Sequence, residues 1–163
     1  MRTSTPASVS GSIGMERVVL VDRSAYRRSS RAPSAARCAL RLFAIKVSLA
    51  TLGFARTLRW VRRSPRSPIA APSARAQRQD ELISATLDAV ALASALWPGR
   101  ALCLEQSLTL YYSLARAGVP VTFRLGLQPH PFQAHAWVEH EGRVLNDFEE
   151  HVRHYVALPE LPR

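Results

Sequence analysis

One stretch of the chain, residues 98–147, holds a cysteine, a histidine and an aspartate in that order, each beside a secondary-structure signal. A proline and a glycine open the stretch, and apolar residues at three- and four-residue spacing then predict a helix over 102–117. Gly118 ends this helix. Cys103 therefore falls in the first helical turn, where unpaired amides and the helix dipole favour the nucleophilic thiolate. On position alone, a small buried apolar residue would fit Cys103 equally well.

A strand and a hairpin follow that helix. Residues 121–128 alternate between apolar and polar side chains, which predicts a half-buried strand. The segments AHAWVE and RVLND then flank residues 140–142, a pattern typical of a three-residue hairpin loop with glycine in its left-handed position. This register pairs His135 with Asp147 on one face of the sheet. A loop one residue shorter would leave Asp147 diagonal to His135.

A histidine beside a carboxylate, with a cysteine on a helix packed against the same sheet, points to nucleophilic catalysis. In this arrangement Asp147 would orient His135 and stabilise its charge. The Cys103 amide is the predicted oxyanion donor, and the sequence does not identify a second one.

The segments CLEQSLTLYYSLARAGVP, VTFRLGL and FQAHAWVEHEGRVLND resemble the transglutaminase-like domain of lasso-peptide biosynthesis B proteins, over residues 80–147. In that family a Cys, the His of the HAW motif and a following acidic residue form a papain-like triad. The resemblance implies that Cys103 attacks the scissile carbonyl, His135 shuttles the proton and Asp147 fixes the imidazole tautomer. Asn146 and Glu149 lie close enough to compete with Asp147 for the acidic position. It also implies an α+β fold, in which the catalytic Cys begins a helix packed on a small antiparallel sheet of at least three strands, preceded by N-terminal helices.

The function that the resemblance implies is removal of the leader peptide from a lasso-peptide precursor in the bacterial cytoplasm, without a cofactor. The implied partners are the precursor peptide, a leader-binding recognition protein and an asparagine-synthetase-like cyclase. Members of the family either carry a leader-recognition domain or rely on a separate one, and the residues before Asp80 offer too few strands for such a domain. We therefore expect a separate leader-binding protein. A transglutaminase or amidase acting on Gln side chains would use the same triad.

Charge divides the chain into two halves. Its net charge is +10, and 16 Lys and Arg face 2 acidic residues up to Gln79, whereas 6 Arg face 10 acidic residues from Asp80 onward. A basic first half suggests nucleic-acid binding, but no recognised binding motif is present and few aromatic residues lie among the arginines, so a nucleic-acid partner is not predicted. The two cysteines give no disulfide framework, which fits a reducing cytoplasm.

These patterns divide the chain into three regions. Residues 1–34 are expected to be a disordered or weakly ordered basic N-terminus without a signal peptide, in which Val18–Val21 is a short strand and Met15 an alternative start. Residues 35–79 form a basic amphipathic helix and a Pro-rich linker, and residues 80–163 form the catalytic domain.

The helix predicted over 35–63 has a broad apolar face that is interrupted by basic residues, so it is too charged to span a membrane. The predicted face consists of Leu40, Phe43, Val47, Phe54, Leu58 and Val61, widened by Leu42, Ile45, Leu49 and Leu52. We interpret it as packing on the catalytic domain, with docking of a partner protein or binding to a membrane surface as alternatives. A second helix is predicted from Asp80 to Leu96.

The histidines raise the question of a metal site. The candidates are His130, His135, His140, His151 and His154. No paired ligand motif repeats, so a metal is not predicted, and His151 and His154 are expected to face solvent. Trp137 shares a strand face with His135 and is expected to pack in the core.

Overall fold

The computed structural model of the chain describes residues 33–63, 75–98 and 102–159. The predicted N-terminal disorder, the strand Val18–Val21, the alternative start at Met15 and the linker at 64–74 lie outside the described residues.

The described part is α+β, as predicted: helices pack on one face of a small antiparallel sheet. In chain order the elements are α1 (Ala35–Leu52), α2 (Phe54–Arg63), α3 (Arg75–Ala95), α4 (Cys103–Arg116), β1 (Thr122–Gln128), β2 (Gln133–His140), β3 (Arg143–Val144), α5 (Glu149–Val152) and β4 (Val156–Ala157).

The single long helix predicted over 35–63 is two helices. Gly53 separates them with a φ of 75°, a left-handed conformation that is readily available only to glycine. The Thr57 hydroxyl donates to the Gly53 carbonyl at 2.9 Å and lies 2.9 Å from the Ser48 hydroxyl, which joins the two helices across the break. Helical periodicity alone did not reveal the break, because the apolar spacing continues through it.

The buried face of α1 also differs from the predicted one. Cys38, Leu42 and Ile45 are fully buried, whereas Leu40, Phe43 and Val47 are 69%, 52% and 43% exposed. α1 contacts both α3 and α4, and the side that meets them carries the first set. The predicted face was therefore wrong at its centre, whereas Leu42 and Ile45, which were expected to widen it, are buried. On α2 the prediction is confirmed, since Leu58 and Val61 are buried.

Two basic residues of α1 bind side chains of α4. Arg41 donates to the Ser113 hydroxyl at 2.8 Å, and its guanidinium lies over the Tyr112 ring at 5.5 Å from the centroid. Lys46 forms an ion pair with Glu105 at 2.9 Å. The core is continuous from α1 to the sheet, because Cys38 of α1 and Val138 of β2 belong to one buried cluster.

Among the described residues, the sheet has four antiparallel strands in the order β3-β2-β1-β4. β2 and β3 are joined by a two-residue turn at Glu141 and Gly142, whose φ angles are 50° and 80°, and His140 pairs with Arg143. The predicted three-residue loop was wrong. Two consecutive left-handed residues form the tight turn that suits the twist of a hairpin, and a glutamate is an uncommon residue at its first position.

The two faces of the sheet have different coverings. Ala136 and Val138 of β2 face the helices and belong to the main core cluster. His135 and Trp137 alternate with them and face the other side, where Tyr155 lies. A Cβ on Gly126 would come within 2.7 Å of Tyr155 Cβ and 2.8 Å of the Trp137 ring, so glycine is needed there for close packing. Within the described residues, none of the helices is both long and apolar enough to cross a membrane.

Candidate active site

The structure brings His135 and Asp147 into hydrogen-bond contact, from Nε2 of the ring to Oδ2 of the carboxylate. The β3 ladder ends just before Asp147, after Leu145 donates to the Val138 carbonyl at 2.9 Å. The side chain of Asn146 then accepts from the Val138 amide at 2.8 Å. The Asn146 side chain thus takes the place of a backbone partner for the Val138 amide. The next residue, Asp147, reaches His135 although the register differs from the predicted one.

Asp147 also accepts from two groups of the next segment. Its Oδ1 receives the Phe148 amide at 2.7 Å and Nδ1 of His151 at 3.0 Å. Burial raises the pKa of the Asp147 carboxyl, but the hydrogen bonds from His151, the Phe148 amide and His135 outweigh burial and leave the pKa below its usual value. The group is therefore a carboxylate at neutral pH.

The contact with Asp147 defines the roles of the two ring nitrogens of His135. A carboxylate only accepts hydrogen bonds, so Nε2 of His135 carries the proton that it shares with Asp147. In the neutral ring, Nδ1 then has a free lone pair. Among the described residues, none forms a hydrogen bond to Nδ1 of His135, so this nitrogen is available as a base.

His151 was predicted to face solvent, and this is wrong in part. Its side chain is 48% exposed, but its Nδ1 contacts both oxygens of Asp147, at 3.0 and 3.1 Å. The short helix α5 begins two residues after Asp147 and turns His151 back toward it. The signal that was available in the sequence was the four-residue spacing between Asp147 and His151. His154 is exposed, as expected.

Aromatic rings surround the imidazole of His135. Ring centroids lie 6.1 Å away for Trp137, 5.1 Å for Tyr155 and 5.0 Å for His151. Trp137 is 3% exposed, as its predicted packing role requires, and its indole donates to Glu139 at 2.8 Å. The Tyr155 hydroxyl donates to Gln133 at 3.2 Å. These rings restrict the rotation of His135 and reduce the access of water to its contact with Asp147.

Cys103 is the first residue of α4 and is half-buried. Ser107 lies one turn further on the same side of the helix. The buried Ser107 hydroxyl donates to the Ala136 carbonyl at 2.8 Å and accepts from the Asn146 side chain at 2.8 Å. The side of α4 that carries Cys103 is therefore held against β2 at the residue next to His135.

The thiol itself is not in the histidine–carboxylate cluster. The ligating atoms of His135, Asp147 and His151 all lie within 4.8 Å of one another, and Cys103 is not a member of that group. Near the thiol, Glu105 accepts from the Leu102 amide at 2.6 Å and pairs with Lys46 at 2.9 Å. This ion pair fixes the beginning of α4.

The other candidates for the acidic position have other partners. Asn146 bonds Ser107 and the Val138 amide, and Glu149 pairs with Arg153 at 3.9 Å. His140 also has a different partner. Its Nδ1 donates to the Pro120 carbonyl at 2.7 Å, and its ring is buried.

Comparison with known proteins gave one result. A family model described as "Transglutaminase-like superfamily" matches residues 39–160, which include β1 to β4 and all of α2 to α5. No curated protein and no solved structure matches the chain.

Proposed function

Because this chain belongs to the transglutaminase-like superfamily, we propose that it is a cysteine peptidase that removes the leader peptide from a lasso-peptide precursor. The observation that carries the catalytic part is the contact between Nε2 of His135 and Asp147, which leaves Nδ1 of His135 as a base. The likeness of the Cys103 helix and the HAWVE hairpin to lasso-peptide B proteins supports the choice of substrate.

In the proposed reaction, Cys103 gives its thiol proton to Nδ1 of His135 and its sulfur attacks the scissile carbonyl carbon. The tetrahedral intermediate collapses, the C–N bond breaks, and His135 returns the proton to the departing amine. Water then attacks the thioester and gives a proton to His135. As the C–S bond breaks, His135 passes that proton to the Cys103 sulfur, which releases the carboxylic acid and restores the thiol. This sequence requires Cys103 to come within hydrogen-bond reach of Nδ1 when the peptide binds.

Asp147 supports each proton transfer without becoming protonated. Its hydrogen bond holds the His135 tautomer in which Nδ1 is basic, and its negative charge stabilises the imidazolium that forms. The ring packing of Tyr155 and Trp137 holds the imidazole in this orientation.

A second candidate activity follows from the family match itself. A transglutaminase or amidase forms the same thioester from a Gln side chain and then transfers the acyl group to an amine or to water. It differs from the peptidase only in the bond that is broken and in the second nucleophile. The nucleic-acid-binding alternative is weakened, because Arg41 and Lys46 of the basic half bond groups within the chain.

The proposed peptidase works in a reducing cytoplasm with three partners. These are the precursor peptide, a separate leader-binding protein that presents it, and an asparagine-synthetase-like cyclase that takes up the released core peptide. The resemblance to lasso-peptide B proteins supports this set of partners.

The test is mass analysis of a precursor peptide after incubation with the purified chain, with and without a leader-binding protein. Cleavage yields two fragments whose masses sum to the precursor plus one water. Cross-linking removes ammonia and joins chains, whereas deamidation leaves the chain length unchanged. A cross-linked or deamidated product without cleavage would favour the transglutaminase or amidase over the peptidase. A precursor that stays unchanged with and without the leader-binding protein would contradict both activities.

A further inference from the structure

Three side chains that can ligate a metal converge beside β2. The ring nitrogens of His135 and His151 both point at the carboxylate of Asp147, and the ligating atoms lie within 4.8 Å of one another. We propose that His135, Asp147 and His151 form a binding site for Zn²⁺, and that the bound ion switches the peptidase off. The metal site stands on the geometry alone, whereas the switch rests on the proposed function.

The donor set and its spacing suit zinc. Imidazole nitrogen and carboxylate oxygen are common zinc ligands at about 2.0–2.2 Å from the ion. Ligand atoms at that distance in a tetrahedral arrangement lie roughly 3.3–3.6 Å apart. The separations from Nδ1 of His151 to the two oxygens of Asp147 are 3.0 and 3.1 Å, and Nε2 of His135 lies in closer contact with Oδ2, so both rings must move outward to make room for the ion.

To bind the ion, each histidine must present a lone pair to it and carry its proton on the other ring nitrogen. Each neutral histidine has its proton on the nitrogen that faces Asp147 and must move it to the other ring nitrogen. For His151 a partner for that proton exists, because the Tyr155 hydroxyl lies 3.4 Å from Nε2. Such outer hydrogen bonds orient the ligands of metal sites.

The surroundings provide an entry path and an open position. The side chains of His135 and Asp147 are 14% and 12% exposed, whereas that of His151 is 48% exposed. The site is therefore enclosed on the strand side and open to solvent at His151. Three protein ligands leave a fourth position for water.

The same proton movement explains the inhibition. With Nε2 of His135 on the metal, its remaining proton sits on Nδ1, the atom that must accept the proton of the Cys103 thiol. The ion also neutralises the Asp147 charge that stabilises the imidazolium. Bound Zn²⁺ therefore removes the base without touching the nucleophile.

Binding is tested in the Cys103→Ala chain, so that the thiolate cannot contribute a ligand. Zn²⁺ is titrated by calorimetry, and Co²⁺ by its visible absorption. We expect one ion per chain and an affinity loss of about 100-fold or more when His151→Phe is added, since a ligand matters at least as much as its outer partners. His154→Phe is the matched control and leaves the affinity unchanged. His151→Gln repeats the test if the Phe variant does not fold.

Inhibition is tested in the chain that retains Cys103. Zn²⁺ should stop cleavage of the precursor and a chelator should restore it, while His151→Phe should need about 100-fold more Zn²⁺ for the same inhibition. If Cys103→Ala binds Zn²⁺ but the wild-type chain does not cleave the precursor, the metal site is supported and the peptidase proposal is contradicted. An active wild-type chain whose Cys103→Ala form binds no Zn²⁺, or binds it equally with His151→Phe, would overturn the metal site.

Discussion

Asp147 accepts hydrogen bonds from two histidines and one backbone amide, and in the unfolded chain it loses all of them. Its folded pKa lies below its usual value. The folded carboxylate therefore stays charged at a pH where the unfolded one is already protonated. The resulting stabilisation is complete above the unfolded pKa, which is about 3.9, and is lost as the pH falls through the lower folded pKa.

This linkage predicts how Asp147→Asn changes with pH. At neutral pH we expect the variant to have a smaller free energy of unfolding than the wild type, because the charge-assisted bonds are lost. The difference should shrink as the pH falls below about 4, where the wild type loses the same bonds. Urea unfolding at several pH values measures it, with the exposed Asp88→Asn as control. A difference that stays constant with pH would show that the carboxylate charge does not stabilise the fold.

The two cysteines should differ in both reactivity and function. Cys38 is fully buried and burial raises the pKa of its thiol, whereas Cys103 is half-buried at the beginning of α4. We expect iodoacetamide to label Cys103 and spare Cys38. Cys103→Ala should abolish cleavage, while Cys38→Ala should keep the turnover number and cost about 1 kcal/mol of stability through the small cavity it leaves.

Peptide mapping after labelling and a cleavage assay on both variants check this prediction. Equal loss of cleavage in Cys38→Ala and Cys103→Ala would contradict the assignment of the nucleophile. Labelling of Cys38 in the folded chain would contradict its burial.

Residue types and their order predicted the His135–Asp147 contact, but they did not predict the role of His151. The hairpin was predicted, but its register was wrong by one residue, and the contact forms because Asp147 lies just past the end of β3. The role of His151 depends on α5, a single turn of helix that has no apolar periodicity of its own. For the same reason α5 and the two-residue strand β4 were not predicted.

At the level of elements, α4 and β2 are joined by a buried network of side chains. Ser107 donates to the Ala136 carbonyl and accepts from Asn146, and Asn146 in turn accepts from the Val138 amide. The network spans the helix that carries Cys103, the strand that carries His135 and the segment that precedes Asp147. It is therefore expected to set the distance between nucleophile and base.

Ser107→Ala tests this network. The change leaves a buried carbonyl and a buried amide group without partners, so we expect a loss of about 1–3 kcal/mol of unfolding free energy. We also expect a lower turnover number at an unchanged KM, because the thiol and the imidazole are then less well aligned. Chemical denaturation and cleavage kinetics measure the two effects, with the exposed Ser84→Ala as the control.

Asn146→Ala and the double variant complete the cycle. Since the two side chains share one network, the double variant should lose less unfolding free energy than the two single variants lose in total. Full additivity, or normal turnover in Ser107→Ala, would show that the network does not couple the helix to the strand.

The elements that the sequence predicted best are those with long, regular patterns. α3, α4 and β1 follow their apolar spacing, and α3 only begins a few residues earlier than expected. The α1 face and the hairpin loop were wrong because each depended on a choice between two arrangements that local pattern ranks alike. On α1, both Leu40 and Leu42 lie on apolar stripes, and only the positions of α3 and α4 decide which stripe is buried.

At the level of the whole molecule, basic charge and exposed apolar surface coincide on the first two helices. α1 and α2 contain no acidic residue. The exposed stripe, defined as Leu40, Phe43 and Val47, lies on the side of α1 away from its buried face. Arg56 and Arg59 on α2 are also exposed. A surface of this kind suits an acidic partner with apolar side chains at its centre, and we propose that the leader-binding protein docks there.

This assignment predicts that the chain cleaves its precursor slowly by itself. A leader-binding protein docked on the exposed stripe would hold the scissile bond near Cys103 and raise its effective concentration, by about 100-fold or more in rate below saturation. Leu40→Ser with Phe43→Ser, or Arg56→Glu with Arg59→Glu, should remove most of this gain. Both pairs should leave the partner-free rate unchanged, because none of these residues belongs to the active site.

Cleavage rates with and without the partner, at fixed enzyme concentration, measure the effect, and Arg78→Glu on α3 is the charge-reversal control. Arg41 is left unchanged, because it bonds Ser113 and its reversal would destabilise the α1–α4 contact. A partner-free rate equal to the stimulated one would show that the chain needs no delivery of its substrate. Full stimulation of both variant pairs would place the partner on another surface, because neither the apolar stripe nor the exposed arginines would then contribute to binding.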